Sequence, residues 1–323
     1  MRNIPTLSLL ASLAIAAGCV RSGPDTENRV IKEKYVHKYG VEVKGTDWQQ
    51  RGMNGKVITT LDNGVTVTKN YEAGVLTGEV TYSYPHSEKI AAVETYTNGT
   101  LLKTTHIDES GNPESESNNT PDGFIMVTSW YESGIPKSKE MYKEHILVDG
   151  DYFNESNQSE SKINDGEGRR AVRSRSGELL ATDTFENGML VTKTEYFPDG
   201  STKAVIKYAN HRPHGEKKTF LQSGEPDTVE QWSNGIQHGE TVTYKNGEKC
   251  AEIPYHKGIK HGVEKRYRDG NTMIEEVNWR NDCLHGPSHT YIDGCISKTT
   301  WYYQGNVVPK STYDFNTSRK LHR

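Results

Sequence analysis

The chain is short of apolar residues: 33% of its 323 positions are hydrophobic, and its mean hydropathy is −0.81. A compact globule of this length carries ~45–50%. The deficit excludes a thick core closed on all sides and points to a thin structure with one buried face. Long apolar runs are missing too. The longest, Leu7 to Ala17, has eleven residues, whereas a membrane-crossing helix needs ~20. No stretch shows a helical period with caps. Cysteine is limited to Cys19, Cys250, Cys283 and Cys295, with no C-x-x-C pair. That excludes a zinc ribbon and leaves at most one disulfide among the last three. Charge of one sign is lacking as well: 39 basic against 43 acidic residues leave a net −4. The nearest basic cluster, Arg169, Arg170, Arg173 and Arg175, is interleaved with Asp165, Glu167 and Glu178. With no stripe to replace phosphate counterions, nucleic acid is excluded as a partner. No nucleophile elbow, P-loop, H-E-x-x-H or dinucleotide fingerprint occurs. The chain reads as non-enzymatic, with no catalytic residues, no cofactor and no metal.

What is present is a period. A His-Gly pair recurs every 23 or 24 residues, at His214-Gly215, His238-Gly239, His261-Gly262 and His285-Gly286. An aromatic follows each glycine by five residues (Phe220, Tyr244, Tyr267, Tyr291), and a turn glycine closes the half-unit (Gly224, Gly247, Gly270, Gly294). A second aromatic comes eight or nine residues later: Trp232, Tyr255, Trp279, Tyr302. A fixed period of this length marks stacked supersecondary units, and such arrays present surfaces more than they build clefts. Asn246-Gly247 and Asp269-Gly270 are hairpin signals. Alternation within the strands suggests one apolar side. Val263 and Tyr267 oppose Glu264 and Arg266, Val242 and Tyr244 oppose Thr241 and Thr243, and Ile253 with Tyr255 and Val277 with Trp279 share a face in the partner strands. The expected fold is all-β: stacked β-hairpin repeats in an elongated, twisted, mostly antiparallel single-layer sheet. Four successive hairpins are expected over 205–305, with their aromatics in two rows.

Upstream the glycine grid persists in looser form, through Gly64, Gly74, Gly99, Gly111, Gly123 and Gly134, then Gly177, Gly188 and Gly200. Its step is one strand plus one turn. Two polar segments interrupt it. Residues 113–123 read as a loop between strands, and 153–170 as either a long loop or a worn repeat with Asn157 in the place of a turn glycine.

Two sets of side chains are candidates for binding. The histidines lie two strands apart, roughly 10 Å at ~4.8 Å per strand, too far for neighbours to share an ion that holds its nitrogens at ~2.1 Å. They are read as serving the hairpin backbone. The ladder Trp232, Tyr255, Trp279, Tyr302 is read first as cross-strand packing. Left uncovered, it would offer a platform for protein or glycan.

The N-terminus, MRNIPTLSLLASLAIAAGCV, has a charged Arg2, the short apolar run, and Ala16-Ala17-Gly18 directly before Cys19. This resembles the bacterial lipoprotein signal, with Ala16 standing where the box prefers leucine. The resemblance implies cleavage before Cys19, lipidation of its thiol, and firm anchoring by several acyl chains. Val20 after the cysteine suits an outer membrane.

The stretch YHKGIKHGVEKRYRDG (255–270) resembles the MORN repeat. Tyr255, Gly258, His261, Gly262, Tyr267 and Gly270 match its pattern, while Glu264 stands where the second glycine of G-x-G belongs. Lys217, Thr241 and Ser288 fall in or near the same place in the other units. The variant resembles a bacterial branch often labelled as an antitoxin component. What the family implies is a stack of hairpins used for protein or membrane interactions, without catalytic residues. The expected layout is a lipoprotein signal peptide over 1–18, a tether over 19–34, a degenerate β-repeat region over 35–200, a regular array over 201–310 and a tail over 311–323. The expected role is a membrane-anchored, extracytoplasmic scaffold for a protein partner. Alternatives are a binder of cell-wall glycan or phospholipid through the aromatic face, and an antitoxin-like binding protein.

Overall fold

The computed structural model describes residues 29–318. The signal peptide, Cys19 and the first part of the tether lie outside the described residues, as do residues 319–323. The chain divides into two compact units, one ending at Thr100 and the other beginning at Leu101. Both are built of antiparallel hairpins, so the all-β expectation holds.

In the first unit, Val30–His37 pairs with Gly55–Leu61, and Thr66–Glu72, Gly78–Ser83 and Ile90–Thr97 follow in turn. Residues 30–34, assigned to the tether, are therefore strand: Val30 already pairs with Leu61. The short helix Gly45–Gln50 buries Trp48, whose ring centroid lies 5.8 Å from that of Tyr35.

The described part of the second unit takes in the strand Thr100–Ile107 from its second residue, continues to Asn306–Val308, and includes the helix Lys310–Ser318. Its last four full hairpins are those expected. Arg212–Phe220 pairs with Pro226–Ser233, Gly239–Lys245 with Glu248–His256, Gly262–Arg268 with Thr272–Arg280, and Gly286–Ile292 with Cys295–Tyr303. Segment 153–170 is a worn repeat: Ile146–Phe153 pairs with Ser159–Asn164 across a turn in which Asn157 takes φ 57°. The loop expected over 113–123 is a correction. Pro113–Asn119 is a strand paired on both sides, and its charged Glu116 is held by Lys103 at 2.9 Å. Polar side chains do not prevent pairing when the backbone ladder is complete. The two helices are a second correction. One has six residues, too few to show a period, and the other follows Pro309, which cannot extend the ladder.

The turns of the second unit alternate between two edges. One edge carries two-residue turns at 165–166, 187–188, 234–235, 257–258 and 304–305, in which both residues have positive φ, as at Asn234 (51°) and Gly235 (82°). These are the mirror-image turns that suit twisted strands, which is why Asn-Gly and Asp-Gly recur. This tight edge is bonded turn to turn. Gly188 N–H donates to the Gly166 carbonyl at 2.9 Å, Gly235 to Pro213 at 2.8 Å, Gly258 to Gln237 at 2.8 Å, and Gly305 to Leu284 at 2.9 Å.

Strand register traces one face through the unit. Opposed pairs on it include Val127–Glu140, Gly150–Ile163, Arg170–Asp183, Ala204–Thr219, Lys217–Glu230, Thr241–Ile253, Glu264–Val277 and Ser288–Thr300. Nearly all the buried side chains of the unit lie on this inner face. The expected apolar side of two regular strands is thus inverted. Val263 is 41% exposed while Glu264 is 2% exposed, and Thr241 is buried where Val242 is not. The register of the partner strand decides it, because Glu264 sits opposite Val277, and Thr241 opposite Ile253.

Candidate functional site

The ladder aromatics all fall on the inner face, half-buried, each directly across from the glycine of a His-Gly pair: Trp232 from Gly215, Tyr255 from Gly239, Trp279 from Gly262, Tyr302 from Gly286. The glycine is a backbone requirement. Gly262 has φ 118°, and a Cβ there would come 3.1 Å from the Pro254 ring.

Two of the ladder rings are held in charged knots. The Trp279 indole N–H donates to Glu264 Oε2 at 2.8 Å, and Lys260 Nζ reaches the same oxygen at 3.3 Å while lying 4.6 Å from the centre of the Trp279 ring. Arg266 Nε donates to Glu264 Oε1 at 2.7 Å. Glu230 repeats the device: it accepts from Trp232 at 2.7 Å and from Lys217 at 3.2 Å, with Lys217 5.4 Å from the Trp232 ring centre. Burial alone would push the Glu264 carboxyl up, but Arg266, Lys260 and the indole N–H outweigh it and hold it below the usual carboxylate range. The positions that depart from the repeat pattern, Lys217, Thr241, Glu264 and Ser288, all point inward, and the last three are buried. They are the interior of the array.

The other aromatic row stands on the opposite face. Tyr267 donates to Glu252 at 2.6 Å beneath Lys249, whose amine lies 4.1 Å from the ring centre, and Tyr291 donates to Glu276 at 2.7 Å. Burial first, then the bond to Glu252, raises the Tyr267 hydroxyl, while Lys249 and Tyr267 bring Glu252 down against its own burial.

The histidines are fasteners between repeats. His214 Nδ1 accepts the N–H of Asn234, His238 that of Lys257, and His285 that of Gln304, each at 3.4 Å. Each donor opens the next turn on the tight edge, 19 or 20 residues on. His261 bonds Asn281 Oδ1 instead, at 3.2 Å. In the worn units other acceptors do the same work. Glu167 takes the Asn187 N–H at 2.8 Å, Asp149 that of Asp165 at 3.1 Å, and Asn54 in the first unit that of Ala73 at 2.8 Å. Each also precedes a glycine. The constant requirement is an acceptor, and imidazole is one of several that serve.

Sequence reasoning missed a third charged knot. In the worn region Arg170 donates to Asp183 Oδ2 through Nε at 3.0 Å and Nη2 at 2.7 Å, lies over the Phe185 ring at 4.9 Å, and stands 3.6 Å from Glu140. Glu140 accepts from Tyr142 at 2.8 Å and Tyr152 at 2.9 Å. In the sequence Arg170 is one of a mixed-charge cluster, and only the pairing register brings these residues together.

Among the described residues no group of three or more His, Cys, Asp or Glu side chains is arranged to hold a metal, and Cys250, Cys283 and Cys295 are free thiols. The first unit has a half-open cleft of ≈ 880 Å³ lined by His37, Lys38, Asn54, Lys56, Tyr71 and Glu72. Asn54 there is spent on Ala73 and Gly52, and His37 stacks on Tyr39 at 5.2 Å.

No protein-family profile matches the chain, and no curated protein sequence does. Among solved structures, the crystal structure of TcdB2-TccC3-Cdc42 aligns at 10% identity over 72% of this chain and 19% of that one, with a TM-score of 0.14. A porin-like protein from Bacteroides uniformis ATCC 8492 aligns at 11% identity over 83% of this chain and 92% of that one, with a TM-score of 0.11. At these scores neither alignment carries an argument about fold or function.

Proposed function

We propose that this is a non-enzymatic MORN-type repeat protein, anchored by lipid on Cys19 to an outer membrane, outside the cytoplasm, whose sheet serves as a docking scaffold for a protein partner. The observation that carries the reading is the apolar column on the tight edge. Directly after the turns stand Ile146, Met189, Ile236 and Cys283, all exposed, and Ile259, half-buried; charged Glu167 and Arg212 hold the same place after turns 165–166 and 210–211, so the unbroken apolar stretch is Ile236, Ile259 and Cys283. Exposed apolar residues in a row mark an interaction surface more than residues scattered singly. The inner ladder supports a glycan platform less well, because both tryptophan N–H groups are already bonded to Glu230 and Glu264. A photo-crosslinking side chain at Ile236 in the native cell tests the partner class. Covalent adducts with one protein, lost when Ile259 is changed to Asp, are expected; adducts with murein or lipid alone would favour the glycan or phospholipid reading. Cys19→Ala tests the anchor and should release the chain from the membrane fraction, whereas unchanged membrane association would refute lipidation.

A further inference from the structure

We infer that His238 and His256 form a two-imidazole site for a divalent transition metal, copper(II) foremost. Spacing along the His-Gly row argues against a shared ion, but His256 is outside that row. It ends its strand beside the turn 257–258 and stands between His238 and His261. Its ring centroid lies 4.9 Å from that of His238 at an interplanar angle of 53°, and 6.3 Å from that of His261. With nitrogens ~2.0–2.1 Å from an ion, two imidazoles on one ion have centroids roughly 4.5–6.4 Å apart, the short end corresponding to adjacent corners of a square plane. The His238–His256 spacing of 4.9 Å falls between the square-planar and tetrahedral values, so it admits copper(II), nickel(II) or zinc(II) with water in the remaining positions, and the order of intrinsic affinity puts copper first. Both histidines are exposed, and the ring of His256 makes no hydrogen bond to any described residue.

The chain holds its own control for simple stacking. The equivalent rings two repeats on are His285 and Tyr303, at 5.2 Å and 44°. That pair stacks in the same way and offers only one imidazole. Ser233 and Arg280 hold the corresponding place in the remaining repeats. The site also has a chemical signature. His238 Nδ1 accepts the Lys257 N–H at 3.4 Å, so the neutral ring carries its proton on Nε2. An ion on Nε2 moves that proton to Nδ1, which then no longer accepts, and the Lys257 amide is released.

The test is titration of the purified full chain with copper(II), nickel(II) and zinc(II) at pH 7.5, read by calorimetry and copper EPR, with amide exchange followed alongside. One ion per chain is expected, copper binding tightest by the Irving–Williams order, with faster exchange at Lys257 in its presence. His256→Tyr copies the His285–Tyr303 stack and should melt as wild type. His238→Asn copies Asn54 and keeps an acceptor for Lys257. Each should weaken copper binding by no less than the ~10–100-fold that disturbing even an outer-shell partner produces, while His261→Asn should leave it unchanged. No binding by wild type, or equal affinity in His256→Tyr and His238→Asn, overturns the assignment; the second result would place the ion elsewhere.

Discussion

Segment 124–209 and array 212–303 share one inner face but fill it differently. The first packs Val127, Tyr142, Leu147, Tyr152, Ile163 and Phe185 into one apolar cluster, in which Tyr152 and Ile163 are each 1% exposed. The second buries Thr241, Glu264 and Ser288 beside Ala251 and Val277, and leaves its large aromatics half-wet. The segment with the least visible repeat therefore has the drier core. Regular spacing records what the turns need, namely positive φ, a glycine opposite an aromatic, and an acceptor for the next turn. It says little about how much apolar surface is covered.

The comparison is most open to attack through its largest side chains. Tyr152→Ala should cost about 3–5 kcal/mol in urea unfolding, the range for aromatic truncation at packed sites. Trp279→Ala should cost toward or below the low end, about 3 kcal/mol, because one side of its ring is wet. Equal losses would remove the distinction between the two interiors.

Glu264→Gln comes next, at about 1.5–3 kcal/mol near pH 7, the worth of hydrogen bonds to a charged group. Its pH dependence has a definite sign. The folded carboxyl titrates below its unfolded value of ~4.3, so its contribution is complete above that pH and fades as the pH falls through the lower folded value. Stability curves of wild type and Glu264→Gln should thus begin to converge below the unfolded value of about 4.3 and meet once the pH has fallen past the lower folded value. A gap that persists in acid would mean that shape, not charge, is what the array uses there. Because Trp279 bonds the same carboxylate, a double-mutant cycle of Glu264→Gln with Trp279→Phe should show coupling, measured as non-additive unfolding energies.

The smallest effect belongs to the residue type that stands out most in the sequence. His261→Ala should stay within about 0.5 kcal/mol, as substitutions at exposed sites usually do. A loss exceeding that of Trp279→Ala would reverse the roles of ladder and histidine row.

Much of the fold was legible because two-residue turns need Asn, Asp or Gly, and these residues appear at a fixed step. The turns Glu144-His145 and Asn281-Asp282 use two non-glycine residues at positive φ and leave no mark on the glycine grid. Face was harder to read than strand. Val263 looks like a core residue and Glu264 like a surface one until Glu264 is found opposite Val277. The Glu140–Arg170–Asp183 knot joins a directly paired couple, Arg170 and Asp183, to Glu140 on a strand separated from that of Arg170 by two others, so no local pattern could announce it. The His-Gly signal was visible, but its meaning was not, since the acceptor role emerges only when Asn54, Asp149 and Glu167 are seen in the same place.

The repeat signature fastens one repeat to the next. Amide hydrogen exchange at Lys257 tests it most directly, in metal-free protein carrying His238→Ala or His238→Asn. Faster exchange at Lys257 in the alanine variant, with protection near the wild-type level in the asparagine variant and no change at Asn234 or Gln304, is the predicted result. Exchange at Lys257 that is the same in wild type and His238→Ala would contradict it.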